Sequence, residues 1–215
     1  DAFAGVLLKN CAAWLSAHPD APITMAGMVG SRNGWMEVPY APCPAGAEEI
    51  AKGAGRVFVS DGTFASIVPG LLCRNDGVPD VMRGEETLII GADVVDGIVI
   101  QPGTHSKWAR VEKGRVAGFR TFMTGEFFAL LTKHSILRLL AAEANGNHGF
   151  HDGLDAAARQ GGLTHQAFSA RTRVLTGDMD GAAVLPFLSG LLIGTELREA
   201  AQGAEGALTL IADGH

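Results

Sequence analysis

The sequence predicts an α/β protein, and three observations carry that prediction. Helix-like and strand-like apolar patterns alternate along the chain. Its glycines, 29 in 215 residues, stand at the ends of apolar runs. Residues 98–126, IVIQPGTHSKWARVEKGRVAGFRTFMTGE, read as strand, turn, strand, turn, strand. The length suits one large domain or two small lobes, and either can bury a core. With 47% of residues apolar, a disordered chain is excluded.

Element by element, Ala2–Ala17 reads as a helix with Phe3, Val6, Leu7, Trp14 and Leu15 on one face. Residues 21–28 read as a strand and 27–32 as a glycine loop. A short helical turn is expected at 48–52 and a strand at 56–60, while 65–72 fits either type. Gly84 with Glu85 and Glu86 opens a helix, because acidic residues suit the positive end of the helix dipole. The hairpin region begins at 97–101. Residues 126–144 form the longest expected helix, followed by a loop at 146–152 and a short helix at 155–160. Helices at 166–176 and 182–202 and a last strand at 208–212 complete the reading. A boundary near residues 95–97, where helices give way to the hairpin sheet, divides the chain into 1–96 and 97–215.

The formal net charge of −6 argues against nucleic acid or an anionic membrane as a general partner, but leaves room for a local anion pocket. Cys11, Cys43 and Cys73 are odd in number and widely spaced, so neither a zinc knuckle nor a disulfide framework is expected. No secretory leader opens the chain, and no apolar run is read as approaching the ~20 residues a bilayer span needs. The chain begins at Asp1 rather than Met, which fits a fragment.

Four stretches carry chemistry. In the turn Pro102-Gly103-Thr104-His105-Ser106-Lys107, glycine lets backbone N–H groups converge on an anion. Thr104 and Ser106 add hydroxyl donors, and Lys107 adds charge. It is not a Walker A loop, since a strand follows where that motif needs a helix. An ordinary polar hairpin turn is the competing reading. In Gly30-Ser31-Arg32-Asn33-Gly34-Trp35, the Arg32 fork matches a carboxylate, and Trp35 and Tyr40 could wall a pocket. A solvated glycine loop explains the same residues. In Arg83-Gly84-Glu85-Glu86-Thr87, a carboxylate at a helix start can take a proton from a hydroxyl, or can serve only the helix dipole. In Thr124-Gly125-Glu126, the acid can again be only a first-turn residue. His148 and His151 lack an evident third ligand and read as a polar loop, and Asp61-Gly62-Thr63 as a plain turn. No metal-ligand cluster is found.

Together these stretches are more specific than any one alone. MAGMVGSRNGW (25–35), PYAPCPA (39–45), VMRGEET (81–87), PGTHSKW (102–108), FRTFMTGEFFALLTKHSIL (119–137), FSARTRVL (168–175) and FLSGLLIGTEL (187–197) resemble, in order, the 2-dehydro-3-deoxygalactonokinases. These are sugar-acid kinases of the actin-like ATPase superfamily, which also holds the hexokinases. The resemblance implies a two-lobed, ribonuclease H-like fold of mixed sheets flanked by helices, with ATP and Mg²⁺ bound where the lobes close. Residues 1–96 would be the rest of the N-terminal lobe, with the sugar-acid site and catalytic helix. Residues 97–215 would be the C-terminal lobe.

By the same resemblance, Gly103, Thr104, His105, Ser106 and Lys107 form the second phosphate hairpin. Glu85 falls on the position of the general base, with Glu86 the near alternative. Gly30, Ser31, Arg32, Trp35, Tyr40, Arg83, Glu86, Thr124, Gly125 and Glu126 are assigned to the sugar acid. The implied reaction is phosphorylation of 2-dehydro-3-deoxy-D-galactonate at O6. Two alternatives stay open: a kinase for the gluconate epimer, and a non-catalytic sugar-acid sensor. The resemblance also implies a cytoplasmic protein without nucleic-acid or membrane partners, and a homodimer is compatible with it. Two family parts, a first Asp-x-Gly-Thr hairpin and a C-terminal adenosine loop, are not in the chain. A piece of about 70% of a longer kinase is therefore expected, not competent by itself.

Overall fold

The structure, a computed structural model, describes residues 2–60, 62–140, 147–203 and 205–212. The chain forms two compact units. The first comprises Asp1–Val99, Ala109–Arg120 and Gly206–His215; the second comprises Ile100–Trp108 and Thr121–Glu205. The elements in order are α1 (Ala2–Ala17), β1 (Ile23–Met25), a 3-10 turn (Met28–Gly30), β2 (Ala41–Pro42), α2 (Ala47–Lys52), β3 (Gly55–Ser60), β4 (Thr63–Ile67), β5 (Leu71–Asn75), β6 (Val78–Met82) and α3 (Glu85–Gly91). Then come β7 (Gly97–Gln101), β8 (Ser106–Glu112), β9 (Arg115–Phe122), α4 (Thr124–His134), a 3-10 turn (Ile136–Leu139), α5 (Phe150–Ala157), α6 (Gly162–Thr176), α7 (Val184–Ala200) and β10 (Leu208–Leu210).

The strands form three sheets, of order β1-β4-β3, β10-β7-β8-β9 and β2-β5-β6. β4 is parallel to β1 and antiparallel to β3. β5 is likewise parallel to β2 and antiparallel to β6. The chain thus has the mixed α/β architecture its sequence predicts. In the first unit, β3 alternates as a one-sided strand should, with Val57 and Val59 buried and Phe58 exposed. Val57, Val59, Ala65 and Ile67 close over Val38 in one core. Leu71, Met82, Ile89, Val99, Val111, Val116 and Phe119 belong to a second core. The cysteines are free. Burial pushes the Cys43 thiol up to about 12.

The second unit is a helical layer whose centre is α7, with Phe187, Leu188 and Leu191 fully buried. α5 packs tightly on it because neither side carries bulk at the crossing. A Cβ on Gly153 would meet the Leu191 backbone N at 2.7 Å, and one on Gly190 would meet the Leu154 N at 3.1 Å. The length of one helix here corrects the reading of apolar runs. Gly181–Ala200, at 20 residues and mean hydropathy 1.2, is long and apolar enough to span a bilayer, yet half of its most apolar window is inside the unit.

Other expectations change as well. The long helix foreseen at 126–144 is α4, which ends at His134. Ser135 turns extended (φ −91°, ψ 174°), and its hydroxyl accepts from Leu137 N at 3.0 Å. A serine that caps a new turn outcompetes the continuing helix. Of that stretch, residues 141–144 lie outside the described residues. Phe150–Asp152, foreseen as loop, open α5. The strand foreseen at 21–28 is confined to Ile23–Met25, because Gly27 (φ 87°) and the 3-10 turn interrupt it. The ambiguous 65–72 stretch is the end of one strand and the start of the next, separated by Val68-Pro69-Gly70. The turn foreseen at 61–63 has its first residue outside the described set.

Candidate active site

In the first unit the foreseen residues gather around Arg83. β1 leads into the 3-10 turn, which folds back so that Val38 N donates to Gly30 O at 3.0 Å and Trp35 N to Val29 O at 2.8 Å. Gly30 is buried against the guanidinium, and a Cβ there would lie 2.9 Å from Arg83 Nη1. Arg83 Nη2 donates to Val38 O at 2.8 Å, and the guanidinium carbon sits 4.3 Å from the centre of the Tyr40 ring. Its Nε and Nη1 are buried and have no hydrogen-bond partner among the described residues. A buried cationic fork with unused donors fits a planar anion such as a carboxylate.

Arg32 is placed differently. Its side chain is 86% exposed and lies 3.7 Å from the Glu37 carboxylate, itself 57% exposed. Such a surface pair contributes little. Trp35 stacks on Phe3 of α1, with ring centres 6.0 Å apart, so its face is spent on packing. Ser31 ends the 3-10 turn, its N–H donating to Met28 O at 3.0 Å.

Gly84, at φ 114°, sets the start of α3, and both acids of the first turn bond back to the chain before it. Glu85 Oε2 accepts from Arg83 N at 3.0 Å, and Glu86 Oε2 from Gly84 N at 2.6 Å. The two differ in access. Glu85 is half-buried, whereas Glu86 is wholly buried, its Oε1 without a hydrogen-bond partner among the described residues. Desolvation raises the Glu86 carboxyl above its ordinary 4.5, against the pull of its backbone hydrogen bonds.

In the second unit, the 102–107 turn divides by exposure. Gly103, Thr104 and His105 are exposed, while Ser106 and Lys107 are only 2% and 3% exposed. The start of α4 backs the turn: Glu126 N donates to Thr104 O at 3.0 Å, and Glu126 Oε2 lies 2.5 Å from His105 Nε2. Gly125 makes this approach possible, since a Cβ there would be 2.6 Å from Gly103 O. Thr124, Gly125 and Glu126 therefore stand beside the turn. A cavity of about 260 Å³ next to them is lined by Thr124, Phe127, Leu192, Thr195, Glu196 and Glu199, among others.

Glu196 of α7 was not singled out by the sequence reading, although its segment was quoted. Its Oε1 accepts from Ser106 Oγ at 2.6 Å and from Trp108 Nε1 at 2.8 Å, and its Oε2 accepts from Thr124 Oγ1. The signal was there: Leu188, Leu192 and Glu196 share one helix face at spacing four, and the first two are core. An acid continuing a buried stripe needs internal donors.

Among the described residues, no three His, Cys, Asp or Glu side chains cluster to hold a metal ion. The sites contain, instead, a buried arginine fork beside two first-turn carboxylates, and an exposed glycine-threonine turn held from behind.

Comparison with known proteins completes the description. The whole chain, residues 1–215, matches the family described as 2-keto-3-deoxy-galactonokinase. It is 40% identical over 207 residues to a Rhizobium meliloti protein provisionally named 2-dehydro-3-deoxygalactonokinase, covering 92% of this chain and 67% of that one. It is 37% identical over 197 residues to the 2-dehydro-3-deoxygalactonokinase of Escherichia coli, covering 90% of this chain and 65% of that one. A crystal structure from Sinorhizobium meliloti, provisionally described as the same kind of kinase, superposes with a TM-score of 0.84 at 37% identity over 97% of this chain and 72% of that one. The chain thus spans about two thirds of the length of the curated relatives.

Proposed function

From the premise that the chain belongs to the 2-keto-3-deoxy-galactonokinase family, we propose that it carries out ATP-dependent phosphorylation of 2-dehydro-3-deoxy-D-galactonate at O6, as part of a two-lobed actin-like kinase of the cytoplasm. The observation that carries the sugar-acid half is Arg83, with two buried guanidinium nitrogens unpartnered. A sugar-acid carboxylate on one edge of the guanidinium, pairing Nη2 with Nε or with Nη1, would supply an acceptor for one of them. Tyr40 and Gly30 would hold the fork in place, and the exposed Arg32 would have at most a peripheral part.

The exposed backbone of Gly103, Thr104 and His105 suits the phosphates of the nucleotide. Mg²⁺ would arrive with ATP as part of the substrate and would neutralise charge on its phosphates. The residues present are compatible with that, since a nucleotide-borne metal needs few protein ligands. Glu85 is the general base of this reading. It is the acid of the α3 first turn that retains exposure, whereas Glu86 has none. Glu85 would take the proton of the substrate's 6-hydroxyl as that oxygen attacks the γ-phosphorus and the bond to the β-γ bridging oxygen breaks, releasing ADP.

The test is Glu85→Gln in the full-length protein. A drop in kcat of about 10²–10⁴-fold is expected, with ATP binding retained by calorimetry. A folded variant with ordinary turnover would remove Glu85 from this role.

A further inference from the structure

We propose that Glu196 is a positioning residue which sets the shape of the 102–107 turn from behind, and that the Ser106 hydroxyl is committed to it rather than to nucleotide. The inference rests on the kinase reading only where it concerns ATP. Three donors from two segments converge on the one carboxylate: Ser106 Oγ at 2.6 Å, Trp108 Nε1 at 2.8 Å, and Thr124 Oγ1. Ser106 and Trp108 are the first and third residues of β8, and Thr124 opens α4. One buried side chain therefore fastens the strand leaving the turn and the helix start that backs it.

A serine hydroxyl has one hydrogen. At Ser106 that hydrogen points to Glu196, and the side chain is 2% exposed. It has no second proton for a phosphate oxygen. Thr124, assigned by resemblance to the sugar acid, is committed in the same way. The turn groups left to meet a ligand are the backbone N–H groups of Gly103 to His105 and the Thr104 hydroxyl, all on its exposed stretch. Glutamine at 196 can satisfy the same contacts. Its Oε1 can accept from Ser106 and Trp108, and its amide can donate to a rotated Thr124 hydroxyl. Position and hydrogen bonding, rather than charge, are what the site requires.

The test is a double-mutant cycle in the full-length protein on Ser106→Ala and Glu196→Ala, with Glu196→Gln as the conservative variant. It reads amide hydrogen exchange of residues 103–108 and, separately, KM for ATP and kcat. Both alanine variants are expected to speed exchange and raise KM for ATP, Glu196→Ala by about tenfold and Ser106→Ala by less, with the double variant no worse than Glu196→Ala, because that variant has already lost the Ser106 bond. Glu196→Gln is expected to stay within about threefold of the parent. Multiplying effects in the double variant, or a raised KM for Ser106→Ala with unchanged exchange, would place the hydroxyl on the nucleotide and overturn the proposal. Should Glu196→Ala not fold, Ser106→Ala alone decides, by exchange of residues 103–108 read against KM for ATP. Coupled exchange effects in a parent protein that turns over no ATP would uphold the brace and defeat the kinase reading instead.

Discussion

The guanidinium of Arg83 lies over the ring of Tyr40, 4.3 Å from its centre, with two of its nitrogens buried and unpartnered. The ring holds the guanidinium from one side, and Val38 O takes one of its hydrogens at 2.8 Å. Arg83→Lys keeps the charge but loses both the stack and the fork. KM for the sugar acid is expected to rise about 10–100-fold in that variant, with KM for ATP nearly unchanged, as loss of a charge-assisted bidentate contact implies. Arg32→Ala, at an open surface pair, is expected to move the same KM by less than about threefold. Steady-state kinetics on both variants check this, and a larger effect at Arg32 would reverse the assignment.

Glu86 makes a prediction about stability. Its carboxyl is raised above the ordinary 4.5 mainly by desolvation, with Glu85 adding to the rise and Arg83 and the Gly84 N–H opposing it. As pH rises through 4.5, the unfolded chain gives up this proton first. The folded protein then binds more protons than the unfolded one, so stability falls with rising pH until the folded carboxyl has also ionised. Glutamine cannot ionise and can still accept from Gly84 N. Glu86→Gln should therefore match the parent in Tm near pH 4 and exceed it at pH 7. Thermal melts across that range check the sign, and a gap that does not change with pH contradicts it.

Gly125 allows α4 to close on the turn. A Cβ there would sit 2.6 Å from Gly103 O and 2.8 Å from Thr104 Cα, both backbone atoms that cannot swing aside. Gly125→Ala must push the helix start away from the turn, at a cost of about 1–3 kcal/mol. KM for ATP is expected to rise about tenfold or more through that displacement, with KM for the sugar acid little affected. The opposite pattern would return the Thr124-Gly125-Glu126 segment to the sugar acid.

Much of the fold was legible in the sequence. The start of α3 followed from Gly84 and two acids, and β7, β8 and β9 from three apolar runs separated by polar turns. The break at Ser135 was not legible, because Ile136, Leu137 and Leu139 continue the apolar pattern of α4. Only the serine's bonds to Leu131 O and Leu137 N redirect the chain. In the first unit, the sequence put Arg32 first and Arg83 second for the carboxylate; that one is exposed and the other's nitrogens are buried is not written in residue type. In the second, it named Ser106 as a donor to phosphate but did not find its bond to Glu196. Glu196 lies 90 positions away, and a contact at that separation is set by tertiary packing rather than by local pattern.

The central claim is tested most directly by ADP release from the full-length protein with ATP, Mg²⁺ and 2-dehydro-3-deoxy-D-galactonate, run beside the gluconate epimer. Release with the galactonate form and little with the epimer is the predicted result. Folded protein that releases ADP with neither would contradict the account, and equal release with both would keep the kinase while removing its assigned specificity.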